Sequence, residues 1–112
     1  MAPADELRTI ALALPGAEER ETWGSATFRV RDKIFVMMSG DGLSASVKAT
    51  RDEQSALLAE DPVTFTVPAY VGHHGWVGVD LRRVGGEQLR ELVTEAWRMT
   101  APRRVVRAFD AG

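Results

Sequence analysis

"ATFRVRDKIFVMMSGDGLSASVK", Ala26 to Lys48, holds three short runs in which apolar and polar residues alternate, divided by turn residues. Period-two alternation reads as half-buried strand. Arg31-Asp32 fits a two-residue hairpin turn, which sets Phe28 opposite Phe35. Gly40-Asp41-Gly42 fits a three-residue loop with Gly42 in the left-handed region. That loop sets Met37 opposite Ala45 and Phe35 opposite Val47. Hairpin-linked strands pair antiparallel, so this stretch starts an antiparallel sheet.

Upstream, Ala4 to Leu14 carries Leu7, Ile10, Ala11 and Leu14 on one helical face, and Pro15-Gly16 ends the helix. "AEERETWG" then leads into the sheet; Glu18, Glu19 and Glu21 read as a solvated linker, with cation binding as the alternative. Downstream, Thr50-Arg51-Asp52-Glu53 is a capping box that opens a helix to about Glu60, anchored by Leu57 and Leu58. "VTFTV" and "GWVGVDL" are a fourth and a fifth strand. Glu87 to Thr100 is an amphipathic helix with Leu89, Leu92, Val93, Ala96 and Trp97 inward. After Pro102 a short helical turn packs Val105, Val106 and Phe109 back. Residues 1–112 thus form a single α+β domain, a two-layer sandwich. Its mostly antiparallel five-stranded sheet carries three helices on one face, in the order α-β-β-β-α-β-β-α.

The alternation assigns Ala26, Phe28, Val30, Phe35, Met37, Leu43, Ala45, Val47, Val63, Phe65, Val67, Val77, Val79 and Leu81 to the core face. Thr27, Arg29, Ile34, Val36, Met38, Ser44, Ser46, Lys48, Thr64, Thr66, Trp76, Gly78 and Asp80 fall on the other face, open to water or a partner. A one-residue slip would exchange the two sets.

The chain has 112 residues, 45% hydrophobic and 27% charged, no cysteine and a formal net charge of −2. Disulfides and thiolate chemistry are excluded. The absence of a long apolar run or signal-like start leads to the expectation of a cytoplasmic protein without a membrane span. The overall charge argues against a nucleic-acid binder, yet Arg98, Arg103, Arg104 and Arg107 leave room for a local basic surface. His73 and His74 are adjacent, have no companion ligands, and read as loop histidines rather than a metal site or a base paired with Asp80. "SGDGLS" lacks the lysine and helix start of a phosphate loop. Trp97 belongs to the core. Trp23 is either core edge or site rim. Trp76, with Arg29 and Lys48 on the open face, makes a surface for stacking a base, a ring or a protein.

The stretches "ALPGAEERETWGSATFRVRDKIFVMM", "LSASVKATRDEQSALLAEDP", "VPAYVGHHGWVGVDL" and "ELVTEAWRMTAPRRVV" resemble the MmcQ/YjbR family of small bacterial proteins. That resemblance implies a CyaY-like or secretion-chaperone-like fold and DNA binding through a "double-wing" motif. It implies no catalytic residues and no cofactor. The expected contacts are Arg29, Lys48, Arg103 and Arg104 to phosphates, Trp76 to a base, and His74 beside it. The alternative is a small-molecule or protein-binding module using the same face without catalysis.

Overall fold

A computed structural model describes residues 3–112. Its elements are α1 (Pro3–Leu12), β1 (Ala17–Thr22), β2 (Ser25–Val30), β3 (Lys33–Met38), β4 (Ser44–Val47), α2 (Arg51–Glu60), β5 (Phe65–Thr66), β6 (Val77–Asp80), α3 (Gly86–Arg98) and α4 (Arg103–Ala111). A short 3₁₀ turn, Gly72–His74, precedes β6. The six strands form one antiparallel sheet in the order β1-β2-β3-β4-β6-β5. α1 and α3 pack against each other, and α3 lies on β3 and β4. The two-layer α+β sandwich expected from the sequence is therefore the fold, with six strands in place of five and four helices in place of three.

The added strand is β1, which the sequence reading treats as a linker. "AEERET" shows no apolar alternation because it is an edge strand paired only with β2. Charged side chains on an edge discourage pairing with another chain. Arg8 of α1 holds it from the helix side, donating from Nε and Nη2 to the Glu19 carboxylate at 2.7 and 3.1 Å. The added helix is α4, whose Phe109 ring meets Trp97 edge-on at 5.0 Å between centroids.

The register in the first hairpin departs from expectation in a specific way. Val30 pairs with Lys33 and Arg29 with Ile34, as a two-residue turn at Arg31-Asp32 requires. Both turn residues have positive φ, 52° and 67°, as a type I′ turn demands. A bulge then follows, and Phe28 pairs with Val36 rather than with Phe35. Phe35 is the extra residue, and both it and Val36 are fully buried. A bulge inserts one residue into one strand and resets its alternation. Beyond it Met38 is core, while Met37 joins Ile34 on the open face. The expected placing of Met37 in the core, and of Val36 and Met38 outside it, is thus inverted.

A second single-residue shift follows at once. Ser39 N–H donates to Ser44 O at 2.9 Å, which makes residues 40–43 a four-residue loop. The Asp41 carboxylate organises it, accepting from Ser39 Oγ at 2.6 Å and from Leu43 N–H at 3.0 Å. Val36 consequently pairs with Val47 and Met38 with Ala45. Gly42 does take the left-handed φ, 72°, but Leu43 sits in the loop and is exposed rather than core.

The expected "VTFTV" strand shrinks to Phe65–Thr66. The Asp61 carboxylate accepts from the N–H groups of Val63 and Thr64, both at 3.2 Å, and turns the chain away from the sheet. Val63 and Val67, expected in the core, are exposed. The capping box is realised at its Thr50 half: Thr50 Oγ1 accepts from Glu53 N–H at 3.1 Å.

Between α2 and α3, burial pushes the Glu53 carboxyl above its ordinary range, and the charge of Glu95 adds to the effect. The folded state therefore binds that proton more tightly than the unfolded chain does. The carboxylate costs stability above the folded pKa, and the cost vanishes below the unfolded pKa. Glu53→Gln is expected to raise the melting midpoint at neutral pH and to lose the advantage near about pH 4. Paired thermal melts at the two pH values check this.

Candidate ligand-binding face

The faces of this sheet differ in kind. Phe28, Val36, Val47 and Val77 lie in one row of cross-strand neighbours, all buried beneath the helices. Thr27, Met37, Ser46 and Gly78 form the next row on the opposite face, which continues to Thr66. Among the described residues, no helix covers this second row. Its floor is mixed: apolar surface from Ile34 and Met37, and hydroxyls from Thr22, Ser25, Ser44 and Ser46.

These residues line a depression of about 500 Å³ with an aromatic side chain at each rim, Trp23 and Tyr70. Both are almost fully exposed, at 99% and 92%. Both occupy backbone that L-residues avoid. Trp23 has φ 54° and Gly24 φ 80°, so Trp23-Gly24 turns β1 into β2 with two left-handed residues. Asn-Gly is the favoured pair there. Tyr70 has φ 66°, and Val71 N–H donates to Ala69 O across it at 2.7 Å. That is a γ-turn of the rare, strained hand. Strain of this kind costs about 1–3 kcal/mol per residue and collects at ligand-binding sites.

Most cations on this face are already engaged. Arg20 pairs with Asp32 at 2.5 Å and with Glu18 at 3.3 Å. Arg29 donates from Nε to Thr27 Oγ1 at 3.2 Å and from Nη2 to Thr22 Oγ1 at 3.1 Å, with Asp32 at 3.7 Å. Its guanidinium braces the hydroxyl row more than it offers charge to solvent. Lys48 has no carboxylate partner among the described residues. It and Trp76 are the next residues along the β4–β6 pairing, beyond Val47 and Val77. Arg29 lies three strands from Trp76, roughly 14 Å at ordinary strand spacing. Continuing that register, Lys48 and Trp76 occupy neighbouring positions on the two strands, and Arg29 lies apart from them.

Trp76 is half-buried, and its approach to β6 is fixed by α2. Gln54 Nε2 donates to Gly72 O at 2.9 Å and to Trp76 O at 2.6 Å, and the Arg51 guanidinium donates to His73 O at 3.1 and 2.8 Å. Gly75, at φ 98°, admits no side chain, because a Cβ would lie 2.7 Å from Arg51 N. His73 and His74 project from this anchored turn, exposed, with ring centroids 3.8 Å apart. They sit on a 3₁₀ turn rather than on extended chain. Arg103 and Arg104 open α4 and belong to neither the depression nor the Trp76 end.

At the β5–β6 edge, two half-buried carboxyls are held below their ordinary range by local donors. Asp80 is lowered by the Arg82 guanidinium and backbone N–H, and Asp61 by the Thr64 hydroxyl and N–H. Both serve as turn acceptors. Among the described residues, no three His, Asp or Glu side chains converge as a metal site requires, and no helix is long and apolar enough to cross a membrane.

Sequence reasoning left Trp23 undecided between core edge and rim; it is rim. Tyr70 was missed, although a large aromatic between Pro68 and Gly72 in a short loop was the available signal.

Residues 12–99 match the YjbR family. The uncharacterized proteins Rv2570 of Mycobacterium tuberculosis and Mb2600 of Mycobacterium bovis are each 46% identical over 57 residues, 50% of this chain and 43% of theirs. The match thus spans under half the length of these relatives. The crystal structure of the Deinococcus radiodurans protein DR2400, a DUF419 domain, superposes with a TM-score of 0.77 at 22% identity, covering 85% of this chain and 75% of that one. At that identity the likeness concerns the fold.

Proposed function

The chain belongs to the YjbR family, and from that premise and the shape of its open face we propose that it is a non-catalytic binding protein for a flat, weakly charged aromatic ligand. The ligand lies across the face between Trp23 and Tyr70. The observation that carries this reading is the pair of exposed rings, each kept on unfavourable backbone at the rim of one depression. Tryptophan and tyrosine have only two side-chain torsions, so stacking a planar ligand on them costs little conformational entropy. The Ser and Thr hydroxyls of the floor supply hydrogen bonds to the ligand's edge. Neither histidine lines the depression, and the Ser39 hydroxyl at its edge donates to the Asp41 carboxylate within the β3–β4 loop.

A second reading, single-stranded or locally opened DNA, is favoured by Lys48 beside Trp76 at the far end of the same face. A base stacked at the rim would run its backbone toward that cation. The two readings differ in salt dependence, because phosphate contacts release counterions and stacking alone does not. Quenching of tryptophan emission is the readout, since Trp23 is fully exposed whereas Trp97 is buried. Adenosine is expected to quench it with an affinity nearly independent of salt. A single strand of about eight nucleotides should bind no more tightly per site under the first reading. A steep loss of its affinity as salt rises selects the DNA reading. No quenching by either ligand at millimolar concentration removes both.

A further inference from the structure

We infer that a second site, separate from the open sheet face, takes a multiply charged phosphoryl group in the groove between the β2–β3 turn and the α3–α4 corner, with Arg31, Lys33 and Arg103 as its cations. The three line one open groove of about 620 Å³. All are exposed, and none has a carboxylate partner among the described residues. The carboxylates nearby are committed elsewhere. Glu95 and Asp110 both bind Arg98, the groove's other cation. Asp32, in the turn itself, binds Arg20 and Arg29 toward the opposite face.

Two of these cations occupy positions where another residue would serve the fold better. Arg31 has φ 52° in a two-residue turn that prefers Asn or Gly. Arg103 and Arg104 open α4, whose first turn contains no acid, the reverse of what the helix dipole favours. The fold accepts unfavourable backbone and unfavourable helix charge at two separate points of the chain, and both concessions raise positive potential in this one groove. A lone carboxylate could satisfy only one of the cations. A dianionic phosphoryl group offers the several acceptor oxygens that two guanidinium forks and an ammonium need.

The test titrates the whole protein with inorganic pyrophosphate by calorimetry at low and at physiological salt, beside a short single-stranded oligonucleotide. Arg31→Asn and Arg103→Ala are compared with the parent, and their melting midpoints are recorded. Each variant is expected to lose about tenfold or more in affinity, as one charged hydrogen-bonding partner disappears, while melting no lower than the parent. Pyrophosphate binding lost in the variants assigns the site to a small phosphorylated ligand. Oligonucleotide binding lost in the same variants, without pyrophosphate binding, assigns it to a phosphodiester backbone. Binding of both probes unchanged in Arg31→Asn and Arg103→Ala, or absent even at low salt, overturns the inference. Loss of stability in both variants would show that the two arginines serve the fold, and would overturn it as well.

Discussion

Trp97→Ala is expected to destabilise the domain by about 3–5 kcal/mol, the range for removing a fully buried aromatic, and to leave little folded protein at 37 °C if the parent is of ordinary stability. Trp97 is fully buried at the centre of the core. Its indole Nε1–H donates to Pro15 O at 2.9 Å, which ties α3 to the turn between α1 and β1. Its ring also supports Phe109 of α4. The substitution therefore opens a cavity, unties one chain crossing and removes the platform of the last helix. Trp97→Phe separates these effects. It keeps most of the ring but leaves the Pro15 carbonyl without its donor, for about 1–3 kcal/mol. Denaturant titration of the three proteins measures both differences.

The second large effect concerns binding with stability moving the other way. Trp23→Asn creates Asn-Gly in the β1–β2 turn, the preferred pair for two positive φ values. Tyr70→Gly relieves the γ-turn. Each substitution should raise the melting midpoint, by relief worth about 1 kcal/mol. Each also removes a stacking ring worth about 1–3 kcal/mol, which is roughly five- to 150-fold in affinity for adenosine. Melting curves together with fluorescence or calorimetric titrations check both halves. A fall in stability in either variant would show that the ring supports the fold.

Arg31-Asp32 and the neighbouring loop explain how a partly wrong register still places the two faces of the sheet. The two-residue turn is legible because its length fixes the first pairs. The bulge at Phe35 is not, since "KIFVMM" offers an apolar residue at every position after Lys33 and both phases look equally good. The loop after β3 is one residue longer than its glycines suggest, because Asp41 wraps it through side-chain bonds that spacing does not reveal. These single-residue shifts cancel. β3 is inverted relative to expectation only from Val36 onward, whereas β4 and β6 face as their alternation requires. Met37 therefore belongs to the depression, and Val36 replaces it in the core. β1 stayed hidden because an edge strand made of charges carries no apolar period. Trp23 and Tyr70 owe their places at the rim to backbone conformation, which depends on the tertiary setting of their loops.

Chemical-shift mapping of the amide and methyl groups during titration with adenosine tests the central claim most directly. The account predicts shifts confined to the open face: the amides of Thr22, Trp23, Ser46 and Tyr70, and the methyls of Ile34 and Met37, with the buried Val93 methyls and the α3 amides unmoved. Shifts centred on α3 and α4, or none at millimolar ligand, would contradict it.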